Sequence, residues 1–254
     1  MMFRHRNRNY SGKSVTPKVG LVNRKSAPAG TLQTMTLDTP GSFTHTTPSS
    51  ITGDATITVW GAGGRSIYYV GYGIAGGGGG ACSQSVVTLS ASTGYALQVG
   101  NPALADNNAG RNSFWVDATT LMARQGRDST VRTGGLASAG FGTTKFSGGT
   151  GGAEAGGGGA GSGGGGSAGT TGNGGNGGAG TGTDAGAAGA AGAGGGAAGG
   201  AGQDETTNAQ GLAGSAPGGG AGGHGAAYTG GQARNGANGR VKIEYTATEE
   251  GTTV

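Results

Sequence analysis

The amino-acid sequence predicts an all-β protein: a small antiparallel β-sandwich that carries a long glycine-rich insertion and follows an extended N-terminal arm. Short stretches of alternating apolar and polar residues recur between glycine-rich turns, and no long, capped, apolar-periodic segment indicates a helix. Residues 147–239 contain 42 glycines among 93 positions. A further half-buried strand is predicted beyond this tract, at 240–246, and because an isolated strand is unstable it must pair with the earlier sheet.

Residues 1–30 form the predicted arm, because prolines and glycines interrupt them and no helical period is present. Seven basic residues precede the first acidic one, Asp38, whereas the rest of the chain has 9 basic and 12 acidic residues. We expect the arm to bind an acidic protein surface; a solvated tail is the alternative, and the scarcity of aromatic side chains disfavours nucleic acid. The expected anchoring residues are Arg4, Arg6, Arg8, Lys13, Lys18, Arg24 and Lys25.

The β-sandwich is predicted from residues 31–146 together with 240–247. Its clearest strand is 55–60, where Ile57 and Val59 share one face. A turn-rich connection is predicted at 48–54, just before it. The remaining strands are predicted at 31–37, 43–45, 85–91, 95–99, 113–116, 119–124 and 240–246.

The glycine tract has a regular spacing. Glycine occupies every third position from Gly163 to Gly178 and again from Gly186 to Gly195. Three residues per turn is the period of a polyproline-II helix, which has no internal hydrogen bonds and must find partners on neighbouring segments or in water. Collagen is the familiar example, but collagen needs abundant proline and this tract contains only Pro217.

We therefore predict that residues 147–239 form a polyglycine-II-like bundle, in which several short helices fold back on each other and are joined by backbone hydrogen bonds. The frame slips at Thr181, near Gly196 and beyond Gly202, and these positions are the predicted turns. Within the frame, Gly172 is expected on a contact face. The alternative is a flexible linker, since so little apolar surface cannot offset the entropy of ordering many glycines.

Residues with catalytic or metal-binding chemistry are sparse. The single cysteine, Cys82, allows no internal disulfide, and the three histidines lack metal-ligand spacing. Residues 12–14 resemble the end of a phosphate-binding loop but lack its upstream glycine and preceding strand. Asp204 and Glu205 could bind Ca²⁺, but we expect them to be solvated carboxylates of a polar loop. The sequence therefore predicts no enzymatic activity, no cofactor and no metal site.

Two loops are the candidate binding sites. The first is the longest glycine-free run of the tract, where a turn between helices is expected; rigid scaffolds often carry function on such loops, and a solvated turn is the alternative. The second holds three tyrosines, which either pack over the sheet beside Trp60 or form an exposed aromatic patch for a sugar or a protein. The candidate residues are Gln203, Asp204, Glu205, Thr206, Thr207, Asn208 and Gln210 in the first loop and Tyr68, Tyr69 and Tyr72 in the second.

Four segments, taken in order, carry a resemblance to a known family. They are ITVWGAGG at 57–64, SVVTLSASTGYALQVG at 85–100, SFWVDATTLMARQG at 113–126 and, after the glycine tract, GRVKIEY at 239–245. Over residues 43–246 the chain resembles the glycine-rich domain of tailed-bacteriophage tail fibres and related virion appendages. The resemblance implies a non-enzymatic virion structural protein of the tail-fibre or adhesin type, in which loops between polyglycine-II helices contact a host receptor.

The implied partners are other virion proteins, bound through the arm, and a host cell-surface receptor that is a protein or a glycan. We also expect a homo-oligomer, with a trimer favoured, and no nucleic acid partner. Because the sequence has no secretion signal and no apolar run of membrane-spanning length, we expect no membrane insertion, assembly in the host cytoplasm and a final place on the virion, on its tail or head surface. The alternative function is a head or tail decoration protein anchored by its basic arm. Residues 248–254 are expected to form a short tail.

Overall fold

The computed structural model of the protein describes residues 30–68, 71–154 and 159–247. The seven anchoring residues of the arm, Tyr69 and the tail 248–254 lie outside the described residues. In chain order the strands are β1 (Thr31–Leu37), β2 (Gly41–Thr46), β3 (Ile51–Trp60), β4 (Cys82–Thr88), β5 (Gly94–Val99), β6 (Ser113–Trp115), β7 (Leu121–Ala123), β8 (Thr144–Phe146) and β9 (Arg240–Ala247), and two 3₁₀ turns lie at Ala109–Arg111 and Ala137–Ala139.

The strands form two antiparallel sheets, which confirms the predicted all-β class. One sheet has the strand order β1-β9-β3-β4-β8 and the other the order β2-β5-β6-β7. Alternate side chains of each sheet point between them, because successive residues of a strand face opposite ways. The shared core consists of Ala55, Ile57, Val59, Leu89, Leu97, Val99, Trp115, Leu121, Ala123, Val241 and Ile243.

The last strand returns to the first sheet as predicted. β9 lies between β1 and β3, so that Ile243 is opposite both Met35 and Ile57. Val241 and Ile243 are fully buried, whereas Lys242 and Glu244 lie on the other face and form an ion pair of 2.8 Å. The two ends of the glycine region are therefore held together by the sheet.

Two strands differ from the sequence prediction by three or more residues at a boundary. β3 begins at Ile51, so only the first residues of 48–54 form the expected connection. β4 begins and ends three residues before the predicted 85–91, because its register pairs Cys82 with Trp60. β8 was not predicted, since three residues are too few to display an alternation, and it pairs with β4 at Cys82–Gln84.

Extended segments of the glycine region are joined by backbone hydrogen bonds. Successive residues of one segment bond to different neighbouring segments, and every third residue bonds to the same neighbour again. Segment 161–169 illustrates this period of three. The amides of Gly161, Gly164 and Ser167 donate to Gln203, Gly200 and Ala197; those of Ser162, Gly165 and Ala168 donate to Ile74, Gly77 and Gly80; and those of Gly163, Gly166 and Gly169 donate to Gly178, Gly175 and Gly172.

A segment outside the tract, 74–81, takes part in the same hydrogen bonding. Its amides also reach three different segments in rotation. Ile74, Gly77 and Gly80 donate to His224, Ala221 and Gly218; Gly78 and Ala81 donate to Arg127 and Arg124; and Gly76 and Gly79 donate to Gly152 and Gly149. The glycine region of the structure is therefore larger than residues 147–239.

The turns agree only in part with the slips in the glycine frame. The chain turns at Thr181–Asp184, where the frame slips, and a backbone hydrogen bond of 3.0 Å joins the amide of Thr181 to Asp184. It also reverses at 170–172, inside an unbroken frame. Gly172 is consequently not on a tight contact face, because a Cβ there would come no closer than 3.5 Å to the nitrogen of Ala193. The expectation for Gly172 was wrong because the period of three does not reveal where the chain reverses.

One end of the glycine region is attached to the sandwich. β3 ends at Trp60, β4 begins at Cys82 and β9 begins at Arg240, and these three residues lie opposite each other in the sheet. The indole Nε1 of Trp60 donates to the carbonyl of Ala168 at 3.0 Å, and its ring packs against Cys82, Ala168 and Phe146. We call this the sheet end of the glycine region. The opposite end of the region lies at Ile74, seven residues before Ala81.

Candidate functional site

Several loops meet at the opposite end of the glycine region, which we call the loop end and define as residues 66–68, 71–73, 181–185, 203–210 and 224–234. Backbone hydrogen bonds tie these loops to the extended segments and to each other. The amide of Ile74 donates to His224 at 2.9 Å, that of Ala227 donates to Glu205 at 3.0 Å, and Ser66 and Arg234 exchange two bonds of 2.9 Å. The loop end is therefore held by the backbone of the scaffold.

The loop 203–210 is fixed by the side chains of two of its residues, Asp204 and Asn208. Asp204 Oδ1 accepts from the amide of Ala185 at 3.1 Å, and Asn208 Oδ1 accepts from the amide of Thr229 at 3.1 Å. Between these anchors, Thr206 is exposed. The loop thus presents polar side chains from a backbone that neighbouring loops hold in place.

The two candidate loops meet at Tyr228. The ring of Tyr68 lies edge-to-face on the ring of Tyr228 at 5.4 Å, and the Tyr68 hydroxyl donates to the Tyr228 carbonyl at 3.1 Å. Gln210 Nε2 donates to the Tyr228 hydroxyl at 2.8 Å. Tyr72 is exposed at 58%. The expected packing of the tyrosines beside Trp60 was wrong for Tyr68, which lies at the loop end rather than the sheet end.

His224 completes this cluster as a fully buried, neutral imidazole. Its ring stacks on Tyr228 at 4.7 Å, and its Nδ1 accepts from the amide of Gly211 at 3.0 Å. Because Nδ1 accepts, the proton of the neutral ring must be on Nε2. Burial, with the nearby charge of Arg234, lowers the pKa of His224 to about 4. Arg234 is itself held by a 3.2 Å bond from its Nη1 to Gln210 Oε1.

The free energy of unfolding is expected to fall as the pH drops from about 6.5 to about 4, in part through His224. An unfolded histidine binds a proton near pH 6.5, whereas the folded protein resists protonation until about pH 4. The unfolded state therefore gains protons first and is favoured across this window. In chemical denaturation, the unfolding free energies of the native chain and of His224→Gln, whose amide oxygen can still accept from Gly211, should change with different slopes between about pH 6.5 and pH 4 and run parallel above about pH 7. Parallel curves from pH 7 to 4 would contradict this.

An open cleft of about 520 Å³ borders the loop end beside Ile74. Arg132 and Glu154 supply its charges, and hydroxyls of Ser129 and Thr130 contribute to its wall. Such a lining suits hydrogen bonding to a polar ligand rather than burial of an apolar one.

The described residues hold little that could perform covalent chemistry. Cys82 is buried at the sheet end, and burial raises the pKa of its thiol to about 12, so the reactive thiolate does not form at neutral pH. Across 30–68, 71–154 and 159–247, no three or more His, Cys, Asp or Glu side chains cluster as metal ligands. No helix in the same ranges is long and apolar enough to cross a bilayer.

Sequence reasoning missed the residues that support the site. His224 and Tyr228 hold the two loops together, and Tyr228 was distinguishable only as one of the few large side chains in the glycine tract. A second missed group lies along the same scaffold, where the fully buried Asp128 pairs with Arg111 at 2.6 Å and with Arg65 at 2.8 Å. The sequence gives only a weak signal for this charged group, because charged residues that lie far apart in the sequence do not show that they meet in the fold.

No protein-family model matches the chain, and no curated protein matches it significantly.

Proposed function

We propose that the chain is a non-enzymatic bacteriophage virion structural protein, a tail fibre or adhesin-type appendage that attaches the particle to the host surface. The observation that carries the proposal is the arrangement of the glycine region, whose period-three hydrogen bonding holds several loops together at one end while the other end joins the sandwich. The order of segments that resembles phage tail-fibre glycine-rich domains supplies the virion context.

The scaffold in this proposal is a polyglycine-II-like bundle. Segment 161–169 supports this, because six neighbours surround it: three accept from its amides, and three others, at 149–152, 186–192 and 220–223, donate to its carbonyls. A helix with three residues per turn directs its backbone groups outward in this way. Glycine is needed at the contacts, since a Cβ on Gly163 or Gly166 would overlap the carbonyl of Ala187 or Ala190.

Asparagine side chains supply hydrogen-bond acceptors on one face of the described scaffold. Asn173 Oδ1 accepts from the amide of Ser147, and Asn176 Oδ1 accepts from the amide of Thr150, both at 2.8 Å. The two asparagines are three residues apart, so they share one face of the helix. Side-chain amides thus replace backbone partners at the edge, which supports a rigid bundle over a linker.

The proposed receptor contact is the loop end. A backbone-bonded scaffold can hold loops of any sequence, so recognition residues are free to vary without disturbing the fold. The outward residues there offer hydroxyl, amide and carboxylate groups, together with the exposed ring of Tyr72. This chemistry fits hydrogen bonding to a glycan or to a polar protein surface. The arm would bind other virion proteins, and the homo-oligomer, with a trimer favoured, remains an expectation.

Replacing Glu205, Thr206 and Thr207 with alanine is expected to lower adsorption to host cells about tenfold or more, because a few residues usually carry most of the binding energy. No side-chain hydrogen bond of these three residues holds the fold, so the melting temperature and particle incorporation should stay unchanged. Binding of the labelled, purified chain to host cells measures the effect. Thr171→Ala, an exposed threonine at the sheet end, is the matched control.

Two outcomes would revise the proposal. If the triple variant adsorbs normally but Tyr72→Ser does not, recognition belongs to the tyrosine loop. If the purified chain binds empty particles but not host cells, and removal of residues 1–29 abolishes particle binding, the protein is a head or tail decoration protein. The concentration of seven basic residues in the arm is the observation that favours this second function.

A further inference from the structure

The open cleft beside the loop end is built from three backbone segments, 74–76, 128–133 and 151–154. Its volume of about 520 Å³ lies within the usual range of small-ligand sites, about 300–1,000 Å³. The amide of Gly151 donates to the carbonyl of Arg132 at 2.9 Å, and a backbone bond of 3.3 Å joins the first segment to the third. Because the three segments bond to one another, the cleft is a fixed part of the scaffold.

Arg132 lines this cleft in a backbone conformation that residues other than glycine rarely adopt. Its φ is 65°, in the left-handed region. The carbonyl of Asp128 holds the turn, accepting from the amides of Val131 and Arg132 at 2.9 and 2.7 Å, and the Asp128 carboxylate pairs with Arg65 and Arg111. Backbone conformations of this kind persist where the surrounding structure enforces them, and they cluster at binding sites. The fold therefore holds Arg132 at the cleft wall.

The two charged side chains of the cleft, Arg132 and Glu154, pair neither with each other nor with any other residue that the structure describes. Four other arginines each pair with an aspartate, namely Arg65, Arg111, Arg127 and Arg240. A guanidinium only donates hydrogen bonds, whereas a carboxylate only accepts them. The cleft thus offers an open place for an anionic group and another for hydrogen-bond donors.

Hydroxyl groups add to the same wall. Ser129 Oγ accepts from the amide of Ile67 at 2.9 Å, so its own proton is free to be donated to a further acceptor. Thr130 is exposed at the cleft. Hydroxyls both donate and accept, as the hydroxyls of a sugar do, and they add no charge.

We propose that this cleft binds an acidic saccharide. A sugar carboxylate lies against the guanidinium of Arg132, whose planar fork matches a carboxylate with two parallel hydrogen bonds. Sugar hydroxyls donate to the carboxylate of Glu154 and exchange hydrogen bonds with Thr130. A simple anion such as phosphate would use Arg132 alone and would be repelled by Glu154. The two opposite charges therefore favour a ligand that carries both a carboxylate and hydroxyls.

The inference rests on the proposed function in one respect, because the cleft borders the loop end that would face the host. It names the receptor class as a glycan that carries carboxylates. Binding of the saccharide itself is a property of the purified chain and can be measured without host cells.

The first experiment titrates the full chain with two acidic saccharides, trigalacturonate and sialyllactose, and follows the backbone amides by NMR. At least one should bind saturably and shift the amides of 129–133 and 151–154. Its neutral counterpart, the methyl ester or lactose, should bind about tenfold more weakly or less, because it lacks the charged acceptor. Absence of binding by both acids, shifts confined to other segments, or an equal affinity for inorganic phosphate would overturn the proposal.

Three variants test the roles of the charges. Arg132→Asn removes the cation and keeps a residue that tolerates the left-handed turn, and it should weaken saccharide binding about tenfold or more. Arg124→Asn is the matched control, since Arg124 also has no ion pair in the described fold and lies outside the cleft. It should leave the affinity unchanged. Glu154→Gln should change the affinity by less than about threefold, because its amide oxygen still accepts from a hydroxyl.

Two results with these variants would contradict the proposal. Equal losses in Arg132→Asn and Arg124→Asn would mean that net charge, rather than the cleft, attracts the saccharide. A loss in Glu154→Gln as large as that in Arg132→Asn would mean that the ligand carries a cation as well as an anion.

Adsorption to host cells separates this inference from the proposed function. If Arg132→Asn loses saccharide binding and adsorption together, the cleft is a receptor contact. If it loses saccharide binding but adsorbs normally, the receptor part of the inference is wrong and host attachment through the loops stands. If the native chain binds the saccharide but not host cells, the proposed function fails and the saccharide site stands.

Discussion

Replacing Gly166 with alanine is expected to cost about 3 kcal/mol of unfolding free energy and about 6–12 °C of melting temperature. Gly166 lies inside the scaffold: its amide donates to Gly175 at 2.9 Å, and its carbonyl accepts from Gly149 at 2.8 Å. A Cβ there would overlap the carbonyl of Ala190. Since the overlap is with backbone, no side-chain rotation can relieve it, and neighbouring segments must separate.

Gly172→Ala is the matched control. It occupies the same frame, two triplets later, yet its Cβ would have only ordinary contacts, the nearest at 3.5 Å. We expect a change in melting temperature of no more than a few degrees, and amide exchange across 161–169 as slow as in the native chain. Gly166→Ala should speed that exchange, because its amides lose their lateral partners. If both variants melt alike, or the native amides exchange at random-coil rates, the glycine region is not the ordered scaffold proposed.

The strands could be predicted wherever the alternation of side chains is long enough to be read locally. Val59 and Val241 mark strands whose faces the sequence defines, and the return of β9 follows because no other partner could stabilise it. β8 could not be predicted, since its three residues, TKF, look the same in a loop. Local pattern thus predicted every strand of the described fold except β8.

The neighbours within the glycine region could not be predicted, for a different reason. An apolar face identifies which side of a strand is buried, but glycine has no side chain to mark a face. The run Gly76–Gly80 looks like a loop between strands, yet its amides donate to three separate segments of the described fold. Spacing therefore indicated a period of three and left open which segments become neighbours.

The candidate site could likewise be predicted from the sequence only in part. The loop 203–210 could be found from sequence because it interrupts the glycine frame. Its contact with the tyrosine loop could not, because Tyr68 and Tyr228 are 160 residues apart and meet only through the folding of the segments between them. The imidazole of His224, which orders that contact, is a lone histidine in sequence.

Asp128→Ala is expected to lower the free energy of unfolding by about 3–5 kcal/mol, the usual cost of leaving a buried charge without its partner. Asp128 and Arg111 are both fully buried, and their side chains meet at 2.6 Å. Arg111 also donates to the carbonyls of Gly63 and Gly126, at 2.9 and 3.1 Å, so it joins the sandwich loop to the glycine segments. Without Asp128, its nearest carboxylate is that of Asp106 at 3.6 Å. Chemical denaturation measures the loss.

Two further variants separate the buried charge from other causes. Asp38→Ala removes an ion pair with Arg240 whose carboxylate side chain is 48% exposed, and it should cost less than about 1 kcal/mol, because water and salt already screen that pair. Adding Arg111→Met to Asp128→Ala should restore part of the lost stability, since an apolar chain of similar length leaves no unpaired charge in the interior. Full restoration is not expected, because the carbonyls of Gly63 and Gly126 lose their donor. If the double variant is less stable than Asp128→Ala alone, Arg111 stabilises the fold mainly through those carbonyls, and the ion pair with Asp128 is secondary.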